Sequence, residues 1–202
     1  PMLIWLADRQ QMVNIDGLGV WPRASSAEYF RRQHGGRMPP GILRTVTPAA
    51  PDAWITALEQ YGTMSFGEVA AAAIRFAREG FPMHAFMADY LREHEDDYRR
   101  WPSSAEVFLP GGRVPEPGEI FVQRDMGRTI QYMADQEAAA RGKGRAAGLQ
   151  AAREAFYRGD IAQMICRYHK ENGGWFTPAD LADFRVRFET PMTTRYNGFD
   201  LY

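Results

Sequence analysis

The residues first in line for metal or nucleophilic chemistry are four histidines, His34, His84, His94 and His169, and one cysteine, Cys166. Ligation needs several such side chains converging at short, regular spacings, and these five are scattered with no zinc-type spacing among them. The histidines are therefore expected on the surface or on helix faces, with no metal site. The run His94-Glu95-Asp96-Asp97 offers oxygen ligands, but consecutive acids on a helix point in different directions, so it is expected to face water at a helix end. Cys166 lies among Ile165, Arg167 and Tyr168 with no helix N-terminus or fixed cation to activate it, so its thiol is expected to pack rather than react. No Ser-His-Asp or Cys-His arrangement follows from spacing.

Phosphate chemistry fares no better. Gly17-Leu18-Gly19 lacks the third glycine and the following helix of a dinucleotide loop, and the chain has no Walker-type loop. Arg141-Gly142-Lys143-Gly144-Arg145 has the charge to touch phosphate but no interleaved aromatic residues, and reads as a solvated linker. Pro1 precedes a strand-like run, and an N-terminal proline amine can act as a general base. Enzymes built that way are short βαβ units, whereas this chain has a long helical middle. By its residues alone the chain reads as a soluble α+β domain without a self-sufficient catalytic centre.

The elements that must position any site show a change of period. Leu3 to Leu6 and the alternating run Met12-Val13-Asn14-Ile15-Asp16 predict a hairpin leading into Gly17-Leu18-Gly19. Gly35-Gly36, Pro39-Pro40-Gly41 and Pro48 predict loop over 31–50. From Pro51 to about Phe184 the period is helical. Trp54, Ala57, Leu58 and Tyr61 share a face, and Gly62 stands where a left-handed helix-ending glycine is favoured. Ser65 to Glu68 forms a capping box for a helix ending at Gly80, and Met83, Phe86, Met87, Tyr90 and Leu91 form an apolar stripe. Asp125 and Asp160 are expected as caps, the first for the face Met126, Thr129, Ile130 and Met133, the second for Ile161, Met164, Ile165 and Tyr168. Thr177-Pro178-Ala179-Asp180 carries three agreeing helix-start signals. Arg185 to Phe188 alternates, and Tyr196-Asn197-Gly198-Phe199 predicts a type I′ hairpin.

At 202 residues, 45% hydrophobic and 24% charged, the chain is long enough for a substantial core. A formal net charge of −1 gives no field to attract nucleic acid or an anionic membrane, which leaves a small molecule or another polypeptide as partner. No apolar run approaches the ~20 residues of a membrane span. The strand-like runs at both ends are expected to belong to a longer protein cut on either side, and the single cysteine excludes an internal disulfide without fixing the compartment.

A series of landmarks in fixed order resembles the large subunit of gamma-glutamyltranspeptidase-type enzymes. It begins with Met2-Leu3-Ile4, Ile15-Asp16 and Pro22-Arg23-Ala24-Ser25, and Thr47-Pro48-Ala49-Ala50-Pro51 stands where that family has a Gly-x-Pro-Gly turn. It continues through Tyr61-Gly62-Thr63-Met64, Gly80-Phe81, Phe108-Leu109-Pro110, Gln123-Arg124-Asp125, Phe156 to Ala162, Gly173-Gly174, Asp180-Leu181-Ala182 and Pro191 to Tyr202. The resemblance implies an α+β fragment of an αββα N-terminal-nucleophile hydrolase, with strands at both ends and a mainly helical lobe between. The expected division is 1–30 sheet strands and pocket-wall loop, 31–50 loop, 51–184 helical lobe and 185–202 returning strands, all within one part of a larger domain.

The resemblance also implies a self-processing amidohydrolase acting by gamma-glutamyl transfer, by hydrolysis, or on a related amide. Its partners would be a small-molecule amide and a small subunit from the same precursor, with no cofactor. The nucleophilic threonine would lie outside this chain, so the fragment has no catalytic residue of its own and is expected to be inactive alone. Members are often periplasmic or secreted. The substrate-binding segment would be Asp16, Gly17, Leu18 and Gly19, with Leu18 in place of the family arginine that grips the substrate α-carboxylate. An isobutyl group cannot replace a bidentate arginine contact. Three readings stay open: a shift to an amide without a free α-carboxylate; a relocated carboxylate anchor, for which Arg23 is near in sequence; and a non-catalytic homologue using the helical lobe as an interaction module.

Overall fold

The alternating residues at the start form the expected hairpin. In the computed structural model, which describes residues 1–202, strand β1 (Met2–Leu6) pairs antiparallel with β2 (Gln11–Asp16), Met2 opposite Ile15 and Leu6 opposite Gln11. Residues 31–50 are not loop throughout. Helix α1 (Ala27–His34) runs four residues into that stretch, with the Ser26 hydroxyl accepting from the Tyr29 amide at 3.3 Å and left-handed Gly35 closing the other end, and Ile42–Arg44 makes a 3-10 turn. The glycines mark where α1 stops, and burial of Phe30 extends it up to them.

Helix α2 (Ala50–Tyr61) has Pro51 in its first turn. It buries Asp52, Ala53 and Ile55 and leaves Trp54 exposed, because a buried aspartate leads its inner face and hydrophobic periodicity does not count it. Gly62 is extended, at φ −95°, not left-handed. Close approach still favours glycine there, since a Cβ would sit 3.0 Å from Leu58 atoms. Helix α3 (Phe66–Glu79) ends as expected at Gly80, which has φ +95°.

Strand β3 (Phe81–Pro82) precedes α4 (Ala85–Glu93), which starts behind His84, whose Nδ1 accepts from the Met87 amide at 3.1 Å. Met83 therefore lies outside the helix, and the predicted stripe breaks: Ala88 and Leu91 are buried while Phe86 and Tyr90 are exposed. The acids of α5 (Glu95–Arg99) pair with arginines, Glu95 with Arg99 and Asp97 with Arg100. Helix α6 (Pro102–Phe108) and strand β4 (Ile120–Phe121), paired with β3, complete this region.

Helix α7 (Arg124–Ala140) begins one residue before Asp125, so Asp125 is a first-turn acid paired with Arg128 and not the cap. A 3-10 turn at Arg141–Lys143 and Gly144 at φ +97° separate it from α8 (Arg145–Tyr157). Helix α9 (Asp160–Glu171) is likewise capped by Gly159, and its buried face is Ala162 and His169, with Met164 and Tyr168 exposed. Helix α10 (Pro178–Ala182) carries the full capping box of Thr177 and Asp180. Strand β5 (Arg187–Glu189) adds to β2, giving an antiparallel sheet in the order β1-β2-β5. Strands β6 (Thr194–Tyr196) and β7 (Phe199–Leu201) form the predicted hairpin, with Asn197 and Gly198 both at positive φ.

Packing divides the chain into two compact units, residues 1–66 with 135–202, and residues 67–134. The expected 51–184 lobe is thus split between two cores. Periodicity identifies helices but not which core each one joins. The first unit carries the β1-β2-β5 sheet, and Met83, Ala88, Leu91, Leu109, Val114 and Phe121 form the centre of the second. No helix is long and apolar enough to cross a membrane.

Candidate functional site

Strand β2 ends on Ile15, which is fully buried, and Asp16, which is nearly so. A carboxylate at that depth needs donors. Its Oδ1 accepts from the Leu18 amide at 3.0 Å, closing a tight local turn, and its Oδ2 accepts from Nη2 of Arg187 at 3.2 Å. The Leu18 amide is the main influence holding the Asp16 pKa below the ordinary carboxylate value. Burial opposes it, and Arg187 adds to the lowering.

The two glycines of the loop are there for closeness. A Cβ on Gly17 would sit 3.3 Å from the Pro1 nitrogen and 3.5 Å from the Ala53 Cβ; on Gly19 it would sit 2.0 Å from the Thr47 carbonyl oxygen. The loop is strapped to the same segment by the Thr47 amide, which donates to the Val20 carbonyl at 2.9 Å. Thr47 is buried, and its hydroxyl has no protein partner. What the loop offers outward is apolar. Leu18 is 66% exposed, Val20 and Trp21 are also exposed, and Trp21 borders an open cleft of about 400 Å³ whose other lining residues are Ser25, Ala27, Phe30 and Met38.

Arg23 does not take over a carboxylate contact beside Leu18. Its guanidinium donates to Asp183 Oδ2 at 2.7 Å and its amide to Asp180 Oδ1 at 3.0 Å, so it ties the end of the loop to α10. Burial raises the Asp180 pKa, but the Arg23 amide and the Thr177 hydroxyl and amide outweigh it and leave the carboxyl below its ordinary value. The guanidinium that stands beside the loop is Arg187. Its alternation with Val186 and Phe188 placed it on a strand, but only the cross-strand register Asp16↔Arg187 reveals the pairing.

The other candidate groups stay apart from this loop's chemistry. The Cys166 thiol is pushed up by burial and then by Asp180, the opposite of activation. His169 is buried against Phe176, with ring centroids 4.6 Å apart, and burial holds its pKa below the ordinary imidazole value. The Thr45 hydroxyl donates to the Ile42 carbonyl at 2.6 Å, so the 3.4 Å contact with His169 Nε2 requires the imidazole to be the donor. That tautomer leaves Nδ1 as a bare acceptor, consistent with its lack of a partner, and Thr45 has no proton for His169 to take.

Behind the loop, α2 is fixed by a buried network that sequence patterns do not signal. Asp52 takes a hydrogen bond from Arg153 Nε on one oxygen and from the Val186 amide at 2.7 Å on the other, which sets the start of β5. Arg153 also donates to the Phe184 carbonyl and lies 4.7 Å from the centre of the Tyr157 ring. The Tyr157 hydroxyl donates to the Pro48 carbonyl at 2.6 Å and accepts from the Asp52 amide at 3.1 Å. The network therefore positions the strand that carries Arg187.

The family model for gamma-glutamyltranspeptidase matches residues 1–202. The glutathione hydrolase-like YwrD proenzyme of Bacillus subtilis is 30% identical over 163 residues, which cover 80% of this chain and 28% of that protein. The acylase ACY 1 proenzyme of a Pseudomonas strain, SE83, is 28% identical over 98% of this chain and 34% of its own length. Among solved structures, the cephalosporin acylase of Bacillus halodurans superposes with a TM-score of 0.81 at 26% identity, covering 98% of this chain and 35% of that one. The chain spans about a third of the length of the curated relatives it matches. With an α+β fold shared with those enzymes and a family match from end to end, the chain belongs to the gamma-glutamyltranspeptidase family.

Proposed function

We propose that the protein containing this chain is a self-processing amide hydrolase of the N-terminal-nucleophile class, and that residues 16–19 form a wall of its acyl pocket. The single observation that supports this most directly is the way Asp16 holds the Leu18 amide while Gly19 is pressed against the Thr47 carbonyl. A loop held this rigidly presents its next side chain in a fixed place, which a substrate contact requires.

In this reading the nucleophile is a threonine exposed when the precursor cuts itself, on a small subunit supplied by the same precursor. Its hydroxyl attacks the substrate carbonyl while its own amine takes the proton; the amine product leaves, and water or another amine releases the acyl group. No cofactor takes part. The segment described here binds and orients the acyl side. Leu18 presents an isobutyl group to the pocket, so a gamma-glutamyl α-carboxylate would find no fork-shaped partner from that residue.

The experiment is expression of the full-length gene, intact-mass analysis and assay with acyl p-nitroanilides. Cleavage into two chains with a new N-terminal threonine, and release of nitroaniline, are the expected results. A single uncleaved chain without activity would overturn the reading and leave a non-catalytic homologue.

A further inference from the structure

We propose that Arg187 is an anion anchor of the acyl pocket, recognising a carboxylate carried by the acyl group of the substrate; this rests on the amide-hydrolase reading above. The register places Arg187 directly opposite Asp16 in the antiparallel β2–β5 pair, so the two side chains leave the same face of the sheet. One nitrogen, Nη2, donates to Asp16 at 3.2 Å, and this is the only bond the guanidinium makes within this chain. A guanidinium has five N–H donors on a planar fork. With the side chain 70% exposed, the remaining donors are open to a ligand.

Asp16 cannot compete for those donors as a free anion would. It is buried, and its second oxygen is taken by the Leu18 amide, so it acts as a strut that holds one corner of the guanidinium. Nor is Arg187 explained by neutralising Asp16, because the Leu18 amide is the largest single influence keeping that carboxyl ionised, and an ion pair with one partner so exposed contributes little. The residues two positions away leave it free: Arg185, just before β5, donates to the Ala182 and Phe184 carbonyls, and no bond links Glu189 to Arg187.

The same strut fixes the loop that carries exposed Leu18, Val20 and Trp21. A half-free guanidinium beside an apolar loop fits an acyl chain that ends in a carboxylate. It disfavours cationic acyl groups and gives no advantage to neutral ones.

The test uses the full-length protein with glutaryl and valeryl p-nitroanilides, which differ by a carboxylate in place of a terminal methyl group. Wild type should favour the glutaryl compound. Arg187→Gln should lower the glutaryl-to-valeryl ratio of kcat/KM by about 10- to 100-fold, mainly through KM, the scale of a lost charge-assisted hydrogen bond. Arg187→Lys should fall between, since an ammonium keeps the charge and loses the fork, and it supplies the comparison should the glutamine variant not fold. An unchanged ratio in a folded, self-cleaved variant overturns the assignment. If wild type cleaves neither anilide, the hydrolase reading fails instead, and titration calorimetry with glutarate decides Arg187 separately. Binding that Arg187→Gln loses sustains the anchor; absent or unaltered binding overturns it.

Discussion

Asp52 and Arg153 form an ion pair whose side chains are 1% and 4% exposed, joining the first turn of α2 to the middle of α8. Such a pair contributes little net stability as a pair, but losing one partner strands the other charge in the core. Arg153→Met should therefore destabilise the full-length protein by about 3–5 kcal/mol, read as a lowered midpoint in urea. Asp52 also accepts the Val186 amide just before Arg187, so the same variant should disturb substrate binding. A midpoint equal to that of wild type would mean that water reaches the pair.

Gly19 tests the loop strap. An added methyl would meet the Thr47 carbonyl at 2.0 Å, which is backbone and cannot turn aside. Gly19→Ala should cost about 1–3 kcal/mol and displace Leu18 and Val20. Activity toward any acyl anilide should fall while self-cleavage persists. Wild-type kinetics from Gly19→Ala would show that the loop is not part of the pocket.

The contrast between these two sites explains what the sequence discloses. Local signals are legible: Asn197-Gly198 makes its turn, Thr177 and Asp180 make their box, and the period-two run ending at Asp16 makes its strand. Each depends on residues within a few positions. Leu18 was singled out by resemblance, whereas Arg187 lies 171 residues from Asp16 and is paired with it only by strand register. Asp52 and Arg153 are also hidden, since charged residues are expected outside and periodicity counts apolar ones. That is why the inner faces of α2 and α9 differ from the expected faces: Asp52 and His169, both polar, belong to the buried side.

His169 gives the fold a pH dependence of definite sign. Burial lowers its folded pKa below the ordinary value of about 6.5. Between those two values the unfolded chain binds a proton that the folded chain does not, so stability falls as pH drops below about 6.5 and levels off once the folded pKa is passed. Thermal midpoints measured from pH 8 to 5 should show this slope, and His169→Leu should flatten it. The same slope in both proteins would assign it to other groups.

Leu18 is the residue on which specificity turns. It is 66% exposed at the loop held by Asp16, and it offers no donor to a carboxylate. Leu18 leaves the grip on such a carboxylate to Arg187, so the full-length enzyme should hydrolyse gamma-glutamyl p-nitroanilide more slowly than its glutaryl counterpart, whose acyl group lacks the α-ammonium that the guanidinium repels. Leu18→Arg should raise kcat/KM for that substrate by about 10- to 100-fold, since a charge-assisted hydrogen bond is worth about 1.5–3 kcal/mol. The gain should appear mainly in KM, because the new contact binds a part of the substrate that does not react. An exposed leucine leaves room for the longer side chain, so the variant should melt close to wild type. Turnover of the gamma-glutamyl anilide by unmutated enzyme as fast as that of the glutaryl compound would sink this account, as it would show that the amino acid end of the substrate is already fully bound without an arginine at position 18. Repeating the assay with Arg187→Gln would then show whether Arg187 binds it.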